Sequence, residues 1–103
     1  MSGALDQLLR FAIAHTRLIQ VSYGGRLRLA EPHDYGIKNG SPKLLVYQLR
    51  ATDDDPRSGA EGWRLLDVSK IATCTVLEDS FPGSRAPSSR RHGTWDEVFA
   101  RVA

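Results

Sequence analysis

The chain has 103 residues, of which 41% are hydrophobic, and its formal net charge is +2. A chain of this size can bury one ordinary hydrophobic core but not two, so its length and composition predict a single small domain. No apolar run approaches the roughly eighteen residues that span a bilayer, and Asp6 and Arg10 interrupt the apolar N-terminus, which argues against a membrane span and a signal peptide.

The first element in chain order is an amphipathic helix over residues 3–15, beginning at Ser2 or Gly3. Its apolar face has members at the i, i+3, i+4, i+7 and i+8 positions of a helix. They are Leu5, Leu8, Leu9, Ala12 and Ile13. We expect this face to pack on the rest of the domain.

A β-hairpin follows the helix. Residues 18–23 alternate between apolar and polar side chains, and Gly24 and Gly25 supply the positive φ angles of a tight turn. Residues 26–30 are the returning strand. Pro32 has no backbone N–H, so we expect regular pairing to end there or to be confined to an edge.

Three more strands are predicted after this hairpin. Asn39 and Gly40 form a second turn signal, and residues 43–50 follow as a strand. Residues 52–62 lack apolar periodicity and are predicted to be an exposed loop. Residues 63–68 and 71–77 are the last two strands, which gives five short strands and favours a small barrel or meander.

The C-terminal part divides into a linker and a short helix. Residues 82–93 are rich in proline, serine and arginine, a composition typical of a flexible basic linker. Thr94 and Glu97 have the spacing of a capping box, which predicts a helix over residues 94–103. A helix this short is marginal alone, so Trp95 and Phe99 would have to cover a surface.

The order of these elements resembles the WYL domain, a small SH3-like barrel found mainly in bacterial transcription regulators. The features that carry the resemblance span residues 5–81. They are the Ala12-Ile13 pair in the helix, Tyr23 at a strand end, the step from Arg28 to Pro32, the segment 64–71 and Phe81. The resemblance implies a five-stranded SH3-like barrel over residues 1–81, acting as a stand-alone module.

Two basic segments stand out within this resemblance. Residues 26–32 and 63–71 each alternate basic with apolar residues at the period of a strand, so each can carry cations on one face and core on the other. Arginine's planar fork binds phosphate or carboxylate in a bidentate way. Arg28 and Arg64 are the strongest candidates for an anion site because both occupy positions that the resemblance matches.

Four further residues complete the predicted site: Arg26, Lys70, Tyr23 and His33. His33 follows Pro32 in a predicted turn near Arg28, although a solvated loop histidine is the more frequent case. For the cations, the alternative is a solvated strand face paired with Glu31 and Asp67.

Aromatic residues on the strands have two interpretations. The set comprises Tyr23, Tyr35, Tyr47 and Trp63. Such rings can stack bases beside cations in single-stranded nucleic-acid sites, but they are more often half-buried packing with a polar tip. Tyr47, between Val46 and Leu49, is predicted to lie in the core.

The sequence favours a binding module over an enzyme. It has no phosphate-binding glycine loop and no nucleophile elbow, and Cys74 is predicted to be a small core residue in a cytoplasmic protein. No cofactor is implied. The expected partners are a nucleotide or single-stranded nucleic acid, a DNA-binding regulator or effector protein, and a second copy of the chain. The alternative is a protein-interaction module of the same fold.

Overall fold

The computed structural model describes residues 3–51, 61–85 and 94–103. In these ranges there is one α-helix, α1, and there are six strands, β1 to β6. Their bounds are α1 (Gly3–Ala14), β1 (Arg17–Tyr23), β2 (Arg26–Lys38), β3 (Ser41–Ala51), β4 (Gly62–Asp67), β5 (Thr73–Ser80) and β6 (Glu97–Arg101). A 3-10 turn over Val68–Lys70 joins β4 to β5. No helix in the described ranges is long and apolar enough to cross a membrane.

The strands form one antiparallel sheet in the order β4-β3-β2-β1-β5, with β6 also paired to β2. The first half of β2 pairs with β1, and its second half, from Asp34 to Ile37, pairs with β6. Within the described residues β4 and β5 lie at opposite ends of this order without pairing, so the sheet is open. The mainly β class and the N-terminal helix are confirmed, whereas closure into a barrel is not.

Both predicted hairpin turns are confirmed. Gly24 and Gly25 have φ angles of 61° and 77°, and Tyr23 pairs directly with Arg26 across them. Asn39 and Gly40 have φ angles of 54° and 82° and join β2 to β3 in the same way. Two successive residues at positive φ are what a two-residue hairpin requires, because that turn matches the twist of the strands.

The strand β2 does not end at Ala30 as predicted, but the alternative that Pro32 occupies an edge position agrees with the structure. The strand runs on to Lys38, with a bulge in its pairing with β3 between Pro32 and Asp34. Pro32 lies where the β1 pairing has ended at Ala30 and the β6 pairing has not begun. The missing N–H therefore removes no ladder hydrogen bond on that edge.

The core lies between α1 and the sheet. Leu9, Ala12 and Ile13 of the helix are buried against it, as predicted from their spacing. Tyr35 is the largest fully buried side chain, and its hydroxyl donates a 2.6 Å hydrogen bond to Asp6 Oδ1 on the helix. Burial and this hydrogen bond raise the pKa of Tyr35. Of the two interpretations of the strand aromatics, Tyr35 therefore fits packing in the core and not base stacking.

The predicted C-terminal helix over residues 94–103 is wrong, because residues 97–101 form the strand β6. The Asp96 N–H donates to the Ile37 carbonyl and the Val102 N–H donates to the His33 carbonyl, at 2.8 and 2.9 Å. The Asp96 side chain accepts from the N–H of Gly40. A helix of ten residues is marginal alone, and the open edge of β2 offers backbone hydrogen bonds that outweigh it.

The predicted linker and the predicted long loop fall mostly outside the described residues. Only residues 82–85 of the linker 82–93 are described, and only residues 61 and 62 of the loop 52–62. Within these parts, Gly62 already belongs to β4 and Arg85 makes an ion pair with Glu31. The linker prediction therefore stays a prediction for residues 86–93.

Cys74 should react slowly in the folded protein. It is only partly buried, at the edge of the core and not within it as predicted, and burial raises the pKa of its thiol to about 11. Much less of the thiol is then ionised at pH 8 than in the denatured chain, whose thiol has an ordinary pKa, so labelling by a disulfide reagent should be at least about tenfold slower in the folded protein. Stopped-flow labelling with and without guanidinium would measure this ratio, and equal rates would contradict the burial of Cys74.

Candidate anion-binding site

Arg28 is held in a defined position next to the first hairpin. Its Nε donates to the carbonyl of Tyr23 at 3.1 Å, and its Nη1 donates to Oε1 of Gln48 at 2.9 Å. The guanidinium carbon lies 5.4 Å from the centre of the Tyr23 ring, within range of a cation–π interaction. Both hydrogen-bond acceptors are neutral, so these contacts orient the guanidinium without cancelling its charge.

The faces of the basic strands differ from the sequence prediction. Arg28 pairs with the buried Val21, and directly paired residues of an antiparallel sheet project to the same face. Leu27 projects to the other face and is 38% exposed. The arginine therefore occupies the core face, at the hairpin end where that face is only half-buried.

The strand β4 repeats this arrangement. Arg64 pairs with the buried Val46, and Leu66, two residues along β4, is buried on the same face. Leu65 projects to the opposite face and is 46% exposed. Arg28 and Arg64 thus lie on the same face of the sheet, on strands separated only by β3.

The arginines Arg26, Arg28 and Arg64 form one positive cluster. Burial lowers the pKa of Arg28, and repulsion from Arg26 and Arg64 lowers it further. Gln48, buried on β3, pairs with Gly62 of β4 and with Ala30 of β2, so it lies between the two arginine-bearing strands. Arg26 and Arg64 therefore lie close enough to Arg28 to act on its charge, and Lys70, the fourth predicted cation, is paired with Asp67.

Two glycines leave room for the guanidinium groups. A Cβ atom on Gly62 would lie 3.2 Å from Nη1 of Arg64, and one on Gly24 would lie 3.4 Å from Nη2 of Arg28. Arg64 Nη1 also donates to the carbonyl of Trp63 at 2.9 Å. Both glycines have positive φ angles, so a larger residue there would also be strained.

Tyr23 connects the arginine cluster to Asp67. The Asp67 N–H donates to the Tyr23 hydroxyl at 3.0 Å. The Asp67 side chain forms ion pairs with Lys43 and, at 3.6 Å, with Lys70, and its pKa is lowered, chiefly by the hydrogen bond from Lys43. Lys70 is 71% exposed. It therefore lies on a solvated surface beside a carboxylate, as the alternative interpretation expected.

His33 does not belong to this cluster, and its prediction as a loop residue is wrong. It is fully buried within β2, where its Nε2 lies 3.1 Å from Glu31 Oε1 and its ring lies 4.8 Å from that of Trp63. Trp63 and Arg64 are neighbours on β4, so their side chains project to opposite faces. The continuation of β2 past Pro32 is what buries His33.

Tyr47 is half-buried, not in the core as predicted. Its hydroxyl donates to Oε2 of Glu61 at 3.0 Å, and the guanidinium carbon of Arg85 lies 3.7 Å from its ring centre. Arg85 reaches Glu31 from the segment that the sequence predicts to be a linker. The position of Gln48 in the arginine cluster and the pairing of Arg85 with Glu31 were not predicted from the sequence, because no local pattern marks either of them.

The described residues contain no cluster of three metal-ligating side chains. Comparison with known proteins finds no matching family model, no matching curated protein and no matching solved structure. Function must therefore be inferred from the geometry of the side chains themselves.

Proposed function

We propose that the protein is a non-enzymatic binding module that captures a nucleotide or single-stranded nucleic acid through Arg26, Arg28 and Arg64. One observation carries the proposal. Arg28 is half-buried and held by two neutral oxygens, Tyr23 O and Gln48 Oε1, and two further arginines repel it from nearby.

Electrostatics explains why such a cluster suits an anion. Partly buried like charges interact more strongly than charges in open water, because the protein screens them less than the solvent does. A phosphate group placed between Arg28 and Arg64 would replace this repulsion with charge-assisted hydrogen bonds. The fixed position of Arg28 lowers the conformational entropy lost on binding.

The resemblance to the WYL domain supports a regulatory role within this proposal. The resemblance rests on the segment 64–71, which contains Arg64, and on the step from Arg28 to Pro32. We propose that the chain is a WYL-like SH3-type domain in the cytoplasm, and that it passes the binding signal to a DNA-binding regulator or effector on another chain or to a second copy of itself.

A protein-interaction module is the second candidate function. It is favoured by apolar side chains on the outer face of the sheet, where Leu27 and Leu65 are each more than a third exposed. A cavity of about 340 Å³ lies next to Leu27, with Leu29 and Leu77 in its lining. An apolar patch around this cavity would suit contact with another protein.

Binding measurements with single-stranded oligonucleotide distinguish the two candidates. We expect a labelled oligothymidylate to bind at low salt and to weaken by about 20-fold for a fourfold rise in salt, since three phosphate contacts release counterions. Arg28→Gln and Arg64→Gln should each weaken binding by on the order of 1 to 3 kcal/mol. Fluorescence anisotropy would measure both effects, and inorganic tripolyphosphate as competitor would show whether phosphate alone suffices.

Arg50→Gln is the matched control for this experiment. Arg50 is exposed, and it pairs with Leu29 on the outer face of the sheet, so its loss changes the net charge equally without touching the cluster. We expect it to weaken binding by less than about 0.5 kcal/mol. Absence of binding at low salt, or equal losses in all three variants, would reject the arginine site and favour the interaction module.

A further inference from the structure

A second ionic site lies around Glu31, apart from the arginine cluster. The Glu31 side chain is buried, with the residue only 4% exposed, yet Arg85 reaches it with two parallel hydrogen bonds, from Nε at 2.8 Å and from Nη2 at 2.9 Å. His33 lies 3.1 Å from the same carboxylate on its buried side. His33 thus holds the Glu31 carboxylate in place, and both carboxylate oxygens accept hydrogen bonds from the Arg85 guanidinium.

An aromatic ring completes this site. The guanidinium carbon of Arg85 lies 3.7 Å from the Tyr47 ring centre, which is close contact between a cation and an aromatic face. Trp63 packs edge-on against Tyr47, with ring centres 5.4 Å apart, and also against His33. The carboxylate and the ring therefore both lie on paired strands and are packed by neighbouring rings.

The electrostatics of the site select a cation. Burial opposes ionisation of Glu31, but the hydrogen bonds from Arg85 and His33 outweigh it and lower the pKa of the carboxyl group. The hydrogen bond to Glu31 raises the pKa of Arg85 in turn. A bidentate acceptor under an aromatic face suits arginine better than lysine, because only arginine has a planar fork that can stack.

Arg85, which occupies this site, is held by less secondary structure than Glu31 and Tyr47 are. Arg85 follows β5 on residues 81–85, which have no helix or strand, whereas Glu31 and Tyr47 lie opposite each other on paired strands. The Arg85 side chain is 37% exposed. Solvent therefore reaches the site from the side on which Arg85 enters, and another arginine could enter by the same route.

We propose that Glu31 and Tyr47, positioned by His33 and Trp63, form a recognition site for an arginine side chain of another polypeptide, with Arg85 as the resident competitor. An occupant in the same chain lowers the apparent affinity for an external ligand in proportion to the fraction of sites left empty. Removing Arg85 should therefore strengthen binding of an external arginine.

Fluorescence titration of Trp63 tests this proposal. Trp95→Phe leaves Trp63 as the single tryptophan, and the probe is the blocked peptide acetyl-Gly-Arg-Gly-amide. We expect Arg85→Ala in this background to bind the peptide at least tenfold more tightly than the parent does. The matched lysine peptide should bind Arg85→Ala at least tenfold more weakly than the arginine peptide, and Glu31→Gln should abolish the difference between them.

Two outcomes would overturn the proposal: equal affinity of the parent and Arg85→Ala, or binding that Glu31→Gln leaves unchanged. If Arg85→Ala folds but is too unstable for titration, thermal melts of this variant in methylguanidinium and in methylammonium at equal ionic strength decide. Methylguanidinium should then raise the midpoint in a saturable way, with no such rise in Arg85→Ala combined with Glu31→Gln. Equal effects of the two cations would reject the site.

Discussion

Replacing Gly36 with alanine is expected to detach β6 from β2. A Cβ atom at Gly36 would overlap the carbonyl oxygen of Glu97 and would lie 3.0 Å from the Cα atom of Val98. These are backbone atoms of β6, so a side-chain rotation cannot relieve the overlap. The strand must shift as a whole, and with it Phe99, which packs on Tyr35 at a ring-centre distance of 5.1 Å.

The cost of this substitution should be about 3 kcal/mol of unfolding free energy, the upper part of the usual range for overpacking. Denaturant unfolding would measure it. Hydrogen exchange would show that the destabilised region is β6, because the amides of Asp96 and Val102 should lose their protection. Gly3→Ala is the matched control, since nothing lies within 4 Å of its added Cβ and alanine favours a helix. Protected Asp96 and Val102 amides in Gly36→Ala would show that β6 does not pack as described.

Local chemistry accounts for the parts of the fold that the sequence predicted correctly. Gly24-Gly25 and Asn39-Gly40 fix two hairpins through their positive φ angles, and the helix α1 follows from apolar spacing alone. Both signals act within a few residues. The turns and the helix that they predict therefore do not depend on how distant parts of the chain pair.

The errors concern elements whose structure depends on distant partners. Thr94 and Glu97 have the spacing of a capping box, but residues 97–101 become a strand because β2 has an open edge some sixty residues earlier in the chain. The part of β2 beyond Pro32 exists because β3 and β6 pair with it on both sides. The burial of His33 is a consequence of that pairing, so no local pattern could have predicted it.

The same distinction applies to the candidate site. Arg26 and Arg28 lie together because one hairpin carries both, and Arg64 joins them because β3 pairs with β2 and β4 in turn. Lys70 follows β4 in the 3-10 turn and binds Asp67 on a solvated surface. The alternation of basic and apolar residues is present, but the predicted separation of cations from the core face is wrong, because Arg28 and Arg64 pair with the buried Val21 and Val46.

The two proposed sites lie on opposite faces of β4. Arg64 contributes to the positive cluster, and its neighbour Trp63 packs against Tyr47 and His33 beside Glu31. One face thus suits an anion and the other a cation, at adjacent positions of a strand that ends the sheet order. A ligand at one face and an arginine-bearing partner at the other could both be bound without overlap.

The largest loss of stability is expected for Ile19→Asp. Ile19 is fully buried on β1, where it pairs with Ala30 on one side and Val76 on the other. A carboxylate there has only apolar cross-strand neighbours, so the change should cost at least about 4 kcal/mol, a large fraction of the total stability of a small domain. Ile19 is a better test than Val21, because Arg28 lies opposite Val21 and would partly neutralise an aspartate there.

Leu27→Asp is the control variant for the Ile19→Asp prediction, because it tests the register in which β1 pairs with β2. Leu27 is an apolar residue on the adjacent strand, but it projects to the outer face, so its replacement should cost only about 1 kcal/mol. A slip of one residue between β1 and β2 would exchange the faces and bury Leu27 in place of Arg28. Circular dichroism and denaturant unfolding would then show Leu27→Asp unfolded as severely as Ile19→Asp. That result would remove Arg28 from the core face and with it the proposed anion site, whereas a large difference between the two variants would support both.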